Sequence, residues 1–291
     1  MAEDEHMTKP KIRVATFSYN RPDHLANCLT SLRDLWPDVD VVIYDDNSKH
    51  PGMEKVFQKF GAPVVVGKGG TGRHGGLYSN MQMAYEQAKA EGFEYLLTLQ
   101  DDMLLVRPFD TGIENEYLER FAQDERLTQI DPRFAKTPKE KSEPAGGNQQ
   151  PKEQATKQPF KDYLDVGLFH IGRLNSVGWS FVVEGSQIIS GEMTLSLKAA
   201  DLGMKKVAPR TPFVMHLPFP HLYRHRLRLP RLSGLSRKIF RSEYLTSEDI
   251  LNIDERPQGQ QAYWRNHLKI ADATWFDRWL LAGRDDAKIL Q

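Results

Sequence analysis

The stretch Val39-Asp-Val-Val-Ile-Tyr-Asp-Asp-Asn-Ser48 decides the fold. Val39 to Tyr44 is a nearly continuous apolar run of the kind buried on both faces of a parallel sheet. The polar residues that close the stretch favour a turn. Upstream, Ile12-Arg-Val-Ala-Thr-Phe17 is a β-rich run, and Pro22-Asp23 opens a helix. That helix carries Leu25, Cys28, Leu29, Leu32 and Leu35 at helical spacing, and Pro37 ends it. Downstream, Met53, Val56, Phe57 and Phe60 mark a second helix, and Pro63 to Val66 a third strand. The glycine-rich loop from Gly67 to Gly76 leads to a third helix carrying Leu77, Met81, Ala84, Tyr85 and Ala88. Tyr95 to Leu99 is the fourth strand. Strands alternating with helices at this spacing predict an α/β fold with a doubly wound, mostly parallel sheet flanked by crossover helices.

Residues 136–160 break the pattern. Lys, Pro, Glu, Gln and Gly dominate there, and such a segment buries too little surface to offset its ordering entropy. The predicted organisation is therefore a tail (1–10), a first half-domain (11–110), a partly disordered insertion (111–160), a second half-domain (161–220) and a helical C-terminal extension (221–291). Within the second half-domain, Leu195, Leu197, Ala199, Ala200 and Leu202 predict a buried helix ending at Gly203.

The 291 residues carry no formal net charge, which argues against a generic nucleic-acid binder. Cys28 is the only cysteine, so no internal disulfide and no cysteine-rich zinc site can form. The opening MAEDEHMTKPK has no apolar core and does not read as a secretory signal. No apolar run reaches the length of about 18 residues that a membrane-spanning helix needs. These features predict a cytoplasmic protein.

Ligands of open α/β sheets bind beyond the carboxyl ends of the strands. Four polar features fall at such ends: Phe17-Ser-Tyr-Asn-Arg21, Asp45-Asp46-Asn47-Ser48, the glycine-rich loop, and Asp101-Asp102. Adjacent carboxylates at the end of a buried strand are costly without a cation or donors. A divalent ion bridging to a diphosphate resolves the conflict, and oxygen ligands completed by phosphate and water suit Mg²⁺ or Mn²⁺. A solvated turn or helix cap is the plain alternative. The glycine-rich loop is neither a Walker A loop nor a dinucleotide fingerprint, but its glycines permit close backbone approach. From this loop Arg73 or His74 could reach a phosphate.

At these residues the chain resembles the family 2 glycosyltransferases, which have the Rossmann-like GT-A fold. The matching pieces are Ser18-Tyr-Asn-Arg-Pro22, Tyr44-Asp-Asp-Asn-Ser48, Asn80, and Leu99-Gln-Asp-Asp-Met103 as a variant of the DXD motif. The resemblance implies a donor nucleotide, UDP by family frequency, held by Phe17, Tyr19, Asn20, Arg21, Asp46, Arg73 and Asp101. Tyr19 would pack on the base, Asp46 would hydrogen-bond it, and Asp101 would face the ribose. Asp102 would be the principal ligand of Mn²⁺ or Mg²⁺. The similarity resumes from Gly191 to Gly203 and from Val207 to His216. There Glu192 falls on the family's catalytic aspartate, and His216 on the histidine that often completes the metal site. Three positions depart from the pattern. Gln100 replaces the first acidic residue of DXD, Glu192 is a glutamate, and Ser79 replaces an arginine usual before the helix-three asparagine.

The implied reaction is inverting transfer of a sugar from a nucleotide-diphosphate sugar to a hydroxyl of a glycan or lipid-linked glycan acceptor, in polysaccharide or glycoconjugate synthesis. Two other readings stand beside it: a sugar-phosphate nucleotidylyltransferase and a non-catalytic nucleotide-sugar-binding protein. The basic stretch from His221 to Arg241 has three readings. It is a lid over the diphosphate, a patch for anionic lipid or a polyprenyl-phosphate acceptor giving peripheral contact at the inner face of the membrane, or a solvated face. Trp264, Trp275 and Trp279 read as a packed helix.

Overall fold

The computed structural model describes residues 10–69, 76–134, 164–182, 191–217, 240–255 and 268–270, with the backbone path alone for 191–193, 240–242 and 268–270. The expected insertion at 136–160, most of the basic stretch and the three tryptophans lie outside the described residues.

The first hundred residues alternate as the sequence predicts: β1 (Ile12–Ser18), α1 (Pro22–Leu35), β2 (Asp40–Asp45), α2 (Gly52–Phe60), β3 (Val64–Val66), α3 (Leu77–Ala90) and β4 (Tyr95–Gln100). Then follow β5 (Met103–Leu105), α4 (Thr111–Gln123), β6 (Leu127–Ile130), β7 (Gly167–His170), α5 (Ile171–Ser176), α6 (Gly191–Asp201), β8 (Lys205–Val207) and β9 (Val214–His216). The C-terminal part contributes β10 (Phe240–Ser242), α7 (Ser247–Asp254) and β11 (Leu268–Ile270).

Seven strands form the central sheet in the order β3-β2-β1-β4-β7-β6-β8. All neighbours pair parallel except β7, which runs antiparallel to both β4 and β6. The chain winds outward from β1 to β3, then crosses back to place β4 on the other side of β1. The carboxyl ends of β1 and β4 therefore border the topological switch point, where open α/β sheets bind ligands.

Strand periodicity divides the core into two layers. Ile12 and Val14 of β1 face α1, α2 and α4, where Leu25, Leu29, Val56 and Phe121 are buried. Ala15 and Phe17 face the other way, onto Met81, Ala84 and Tyr85 of α3 and Leu195 of α6. Each fully buried Leu or Phe stabilises by about 1.5–3 kcal/mol, so both faces hold the sheet firmly.

Residues 111–134 were expected to open the insertion, but α4 and β6 belong to the folded body. Ile113, Tyr117 and Phe121 of α4 are buried against the sheet, and β6 joins β7 to β8. Composition marks the start of the polar tract, and that tract begins only after this strand. The C-terminal extension is partly helical, as expected, and also supplies the antiparallel pair β10–β11. Arg107 Nη1 grips both oxygens of Asp254 in α7, at 2.7 and 3.0 Å. Thr246 and Asp249 form a reciprocal capping box at the helix start. Among the described residues no helix is long and apolar enough to cross a membrane.

Candidate active site

At the switch point the chain leaves β1 and turns sharply. Asn20 adopts a left-handed backbone (φ 56°), and Pro22 at the first position of α1 presets the helical φ. The turn brings Arg21 back onto the end of β4. There the Asp101 N–H donates to the Phe17 carbonyl at 3.0 Å, so Asp101 and Ser18 lie side by side.

The two adjacent carboxylates have different surroundings. Asp101 Oδ2 accepts from Ser18 Oγ at 2.9 Å and from Arg21 Nε at 3.0 Å, and its Oδ1 pairs with Arg21 Nη2. Both of its oxygens are thus engaged inside the protein. Asp102 is also buried, yet its Oδ1 has no hydrogen-bond partner. Its Oδ2 stands 3.6 Å from Arg21 Nη2 and 3.7 Å from His216 Nε2. Burial lowers the pKa of the Arg21 guanidinium from its usual value, and the charge of Asp102 opposes that shift. His24, one turn along α1, is pushed down to about 4 by burial and by Arg21, so its imidazole is neutral near pH 7.

His216 arrives from 114 residues away through β-pairing. β9 runs antiparallel to β5 with Met103 opposite His216, and the Leu217 N–H donates to the Asp102 carbonyl at 2.9 Å. Buried Phe213, Val214 and Met215 anchor the approach. Asp102 and His216, predicted as a metal pair, are therefore neighbours. Among the described residues no group of three or more His, Cys, Asp or Glu side chains is placed to hold a metal ion.

The turn after β2 is braced from within. Ser48 Oγ donates to Asp45 Oδ1 at 2.6 Å and accepts from the Asn20 N–H at 2.7 Å. Asn20 Oδ1 accepts from the backbone N–H groups of Lys49 and His50 at 2.6 and 2.9 Å. Asn20 was expected to contact the nucleotide, but its side-chain carbonyl is committed to locking the two turns together. Asp46 is buried; its Oδ2 accepts from the Gly76 N–H at 2.7 Å, and its Oδ1 has no hydrogen-bond partner. The ends of the glycine-rich loop press closely on this floor. A Cβ at Gly76 would overlap Asp46 Oδ1, and one at Gly67 would overlap Asn80 Oδ1, so a side chain at either position would have to displace these groups. Asn80 is buried and its Oδ1 also lacks a partner.

Tyr19, in the turn after β1, is 54 % exposed. Phe17 departs from expectation. Strand alternation turns its side chain into the core, 5.6 Å from the Tyr44 ring centre, and its backbone carbonyl accepts the Asp101 N–H. Arg73 lies outside the described residues. Glu192 falls in the first turn of α6, and its side chain lies outside them too. Asp165 went unnoticed in the sequence. It precedes β7, is buried, and accepts a hydrogen bond from Gln100 Nε2. A carboxylate thus stands beside the one position where the DXD-like motif lacks an acid. No local pattern announces it, since its partner is 65 residues away.

Residues 14–111 match the family model described as glycosyl transferase family 2. This segment belongs to glycosyl transferase family 2. The family 2 segment runs from β1 to the start of α4 and contains Tyr19, Arg21, Asp46, Asp101 and Asp102, whereas Asp165, Glu192 and His216 lie beyond it. No curated protein matches the chain. Among solved structures, TarS of S. aureus is 16% identical with a TM-score of 0.46, over 77% of this chain and 40% of that one. The chain thus spans less than half the length of that TarS chain. Glucosyl-3-phosphoglycerate synthase from Mycobacterium tuberculosis, in complex with Mn²⁺, UDP and glucosyl-3-phosphoglycerate, is 16% identical with a TM-score of 0.43, over 78% and 76% of the two chains. A cytidylyltransferase from Leptospira borgpetersenii is 12% identical with a TM-score of 0.39, over 69% and 76%.

Proposed function

We propose that the chain is an inverting, metal-dependent glycosyltransferase that uses a nucleotide-diphosphate sugar, UDP-sugar first, and a hydroxyl acceptor of a glycan or lipid-linked glycan. The observation that carries this reading is Asp102. It is a buried carboxylate at the switch point, with one oxygen unbonded and the other facing His216, inside a segment of glycosyl transferase family 2. One carboxylate and one imidazole, completed by diphosphate and water, make a donor set that fits Mn²⁺ or Mg²⁺. Asp102 and His216 would hold the ion, which when bound would offset charge on the leaving diphosphate.

The protein's own groups do the rest. Tyr19 offers its exposed face to the base. Asp46 Oδ1 and Asn80 Oδ1, two buried acceptors lacking partners, suit donors on the base or ribose. The backbone around Gly76 closes on them, and Arg73 on the same loop would reach the phosphates. Asp101 holds Arg21 rather than meeting the ribose itself. Glu192, in the first turn of α6, would take the proton from the acceptor hydroxyl as that oxygen attacks the anomeric carbon in line, which inverts it.

Replacing Glu192 by Gln tests the chemistry. Transfer should fall by about 10²–10⁴-fold, the usual worth of a general base, with UDP binding unchanged. Unchanged transfer would remove Glu192 from the mechanism. A screen of nucleotide sugars for slow hydrolysis, read by released nucleotide, identifies the donor; absence of release from every one would count against the transferase reading.

A further inference from the structure

We infer that Asp165 selects the sugar carried by the donor, accepting hydroxyls of a neutral hexose and repelling a hexuronate. This inference rests on the reading of the site as one for a nucleotide-diphosphate sugar. Along the sheet, Asp46 follows β2, Asp101 and Asp102 follow β4, and β7 is the next strand beyond β4. β7 runs antiparallel to β4 with Thr98 opposite Gly167, so the residues just before β7 reach the carboxyl end of β4. There Gln100, the last residue of β4, donates from Nε2 to Asp165 Oδ2. Neighbouring strands stand about 4.8 Å apart. A donor laid from Asp46 to a diphosphate at Asp102 therefore brings its sugar, the next group along the molecule, to the strand that follows Asp165.

The face of the sheet is the right one. Gln100 alternates with Thr98 and Leu96, and Leu96 packs in the layer of α3 and α6, so Gln100 holds Asp165 on that side. The same face carries Gly76 over Asp46 at the start of α3, and the proposed base Glu192 lies in the first turn of α6. Gln129 joins Asp165 from β6, where it stands opposite Phe169 of the same layer. Its Nε2 donates to the Val166 carbonyl at 2.8 Å, across Gly167, where a Cβ would overlap it. Its amide oxygen Oε1 is buried without a hydrogen-bond partner among the described residues. A buried carboxylate and an unmet amide oxygen are both acceptors, and sugar hydroxyls are the donors that suit them. A site built to hydrogen-bond a substrate hydroxyl discriminates strongly against a substrate that lacks it. A carboxylate on the sugar donates nothing and brings a like charge beside Asp165. Asp165 is thus a specificity-determining residue, and Gln100 positions it.

The test is calorimetric titration of the full chain, with Mn²⁺ present, by UDP, UDP-glucose, UDP-galactose and UDP-glucuronic acid. In the wild type, the better of the two neutral sugars should outbind UDP-glucuronic acid by at least about tenfold. D165N keeps an acceptor for Gln100 and loses the charge. Relative to UDP, it should bind that neutral sugar about tenfold more weakly, because a charge-assisted hydrogen bond becomes a neutral one. It should bind UDP-glucuronic acid about tenfold more tightly, a gain that general loosening of the fold would not produce. UDP itself should bind unchanged. The comparison of neutral with charged sugars on the wild type stands even if D165N fails to fold. Equal wild-type affinity for UDP-glucuronic acid and the neutral sugars, unchanged ratios in D165N, or an equal loss of UDP itself would overturn the inference while leaving the nucleotide site in place. Absence of binding by UDP and by all three sugars would instead bring down the functional reading, and this inference with it.

Discussion

At the scale of single residues, the site is built on differences between neighbours. Asp101 and Asp102 are adjacent and both buried, yet only Asp102 keeps an oxygen without a hydrogen bond. Leaving a buried acceptor unbonded costs about 1–3 kcal/mol, a strain the protein tolerates where a ligand supplies the missing partner. Asp46 and Asn80 share that condition beneath the glycine-rich loop. Gly76→Ala is therefore an informative change. Its Cβ would displace the Asp46 carboxylate and disturb its bond to the residue 76 N–H. Overpacking of this kind costs about 1–3 kcal/mol, readable by urea denaturation. UDP affinity should fall alongside stability. A variant with wild-type stability and wild-type UDP binding would contradict the close approach. Much of this was legible in the sequence, because Asp46, Asp101 and the glycines sit in motifs at strand ends. The pairing of Arg21 with Asp101 was not, since the partners are 80 residues apart and only the left-handed turn at Asn20 brings them together.

At the scale of elements, β1 to β4 were legible because each is a compact apolar run fenced by Pro, Gly or a polar turn. β6 was not. Leu127–Ile130 is four residues long and half polar, and it becomes a strand through pairing with β7 and β8, which are distant in sequence. Its attachment to β8 is reinforced just beyond the strand end. There Asp131 accepts from Arg133 Nε and Nη2 at 2.7 and 2.6 Å and pairs with Lys206 Nζ at 3.0 Å. Burial pushes the Asp131 pKa up, but Lys206 and Arg133 override it and hold it at about 2, below the usual aspartate value of 3.8. The ionised carboxylate therefore favours the folded chain. Its contribution of about 2 kcal/mol is complete above the unfolded value near pH 4 and is lost as pH falls toward 2. Asp131→Asn should remove that part of the acid sensitivity, as read by chemical denaturation between pH 2 and 5. An unchanged pH slope in the variant would show that the ion pairs contribute nothing there.

At the scale of the whole molecule, the topology performs the assembly. The switch between β1 and β4 gathers the loops after four parallel strands at one end of the sheet, and β9 then returns the chain to that end and delivers His216. The matched segment contains Asp46, Asp101 and Asp102, while His216 and the proposed base Glu192 come from the later half. The C-terminal part docks on the same body through Arg107 and Asp254, and Leu245 N–H donates to the Val106 carbonyl at 2.7 Å. The central claim is that this end of the sheet binds a nucleotide diphosphate through a divalent ion on Asp102. Calorimetric titration of UDP into the full chain, with and without Mn²⁺, and repeated on Asp102→Asn, tests it most directly. UDP affinity should rise at least about tenfold with Mn²⁺ in the wild type, and the variant should lose that gain while keeping its metal-free affinity. Equal UDP binding with and without Mn²⁺, or a full metal-dependent gain in the Asp102→Asn variant, would contradict the account.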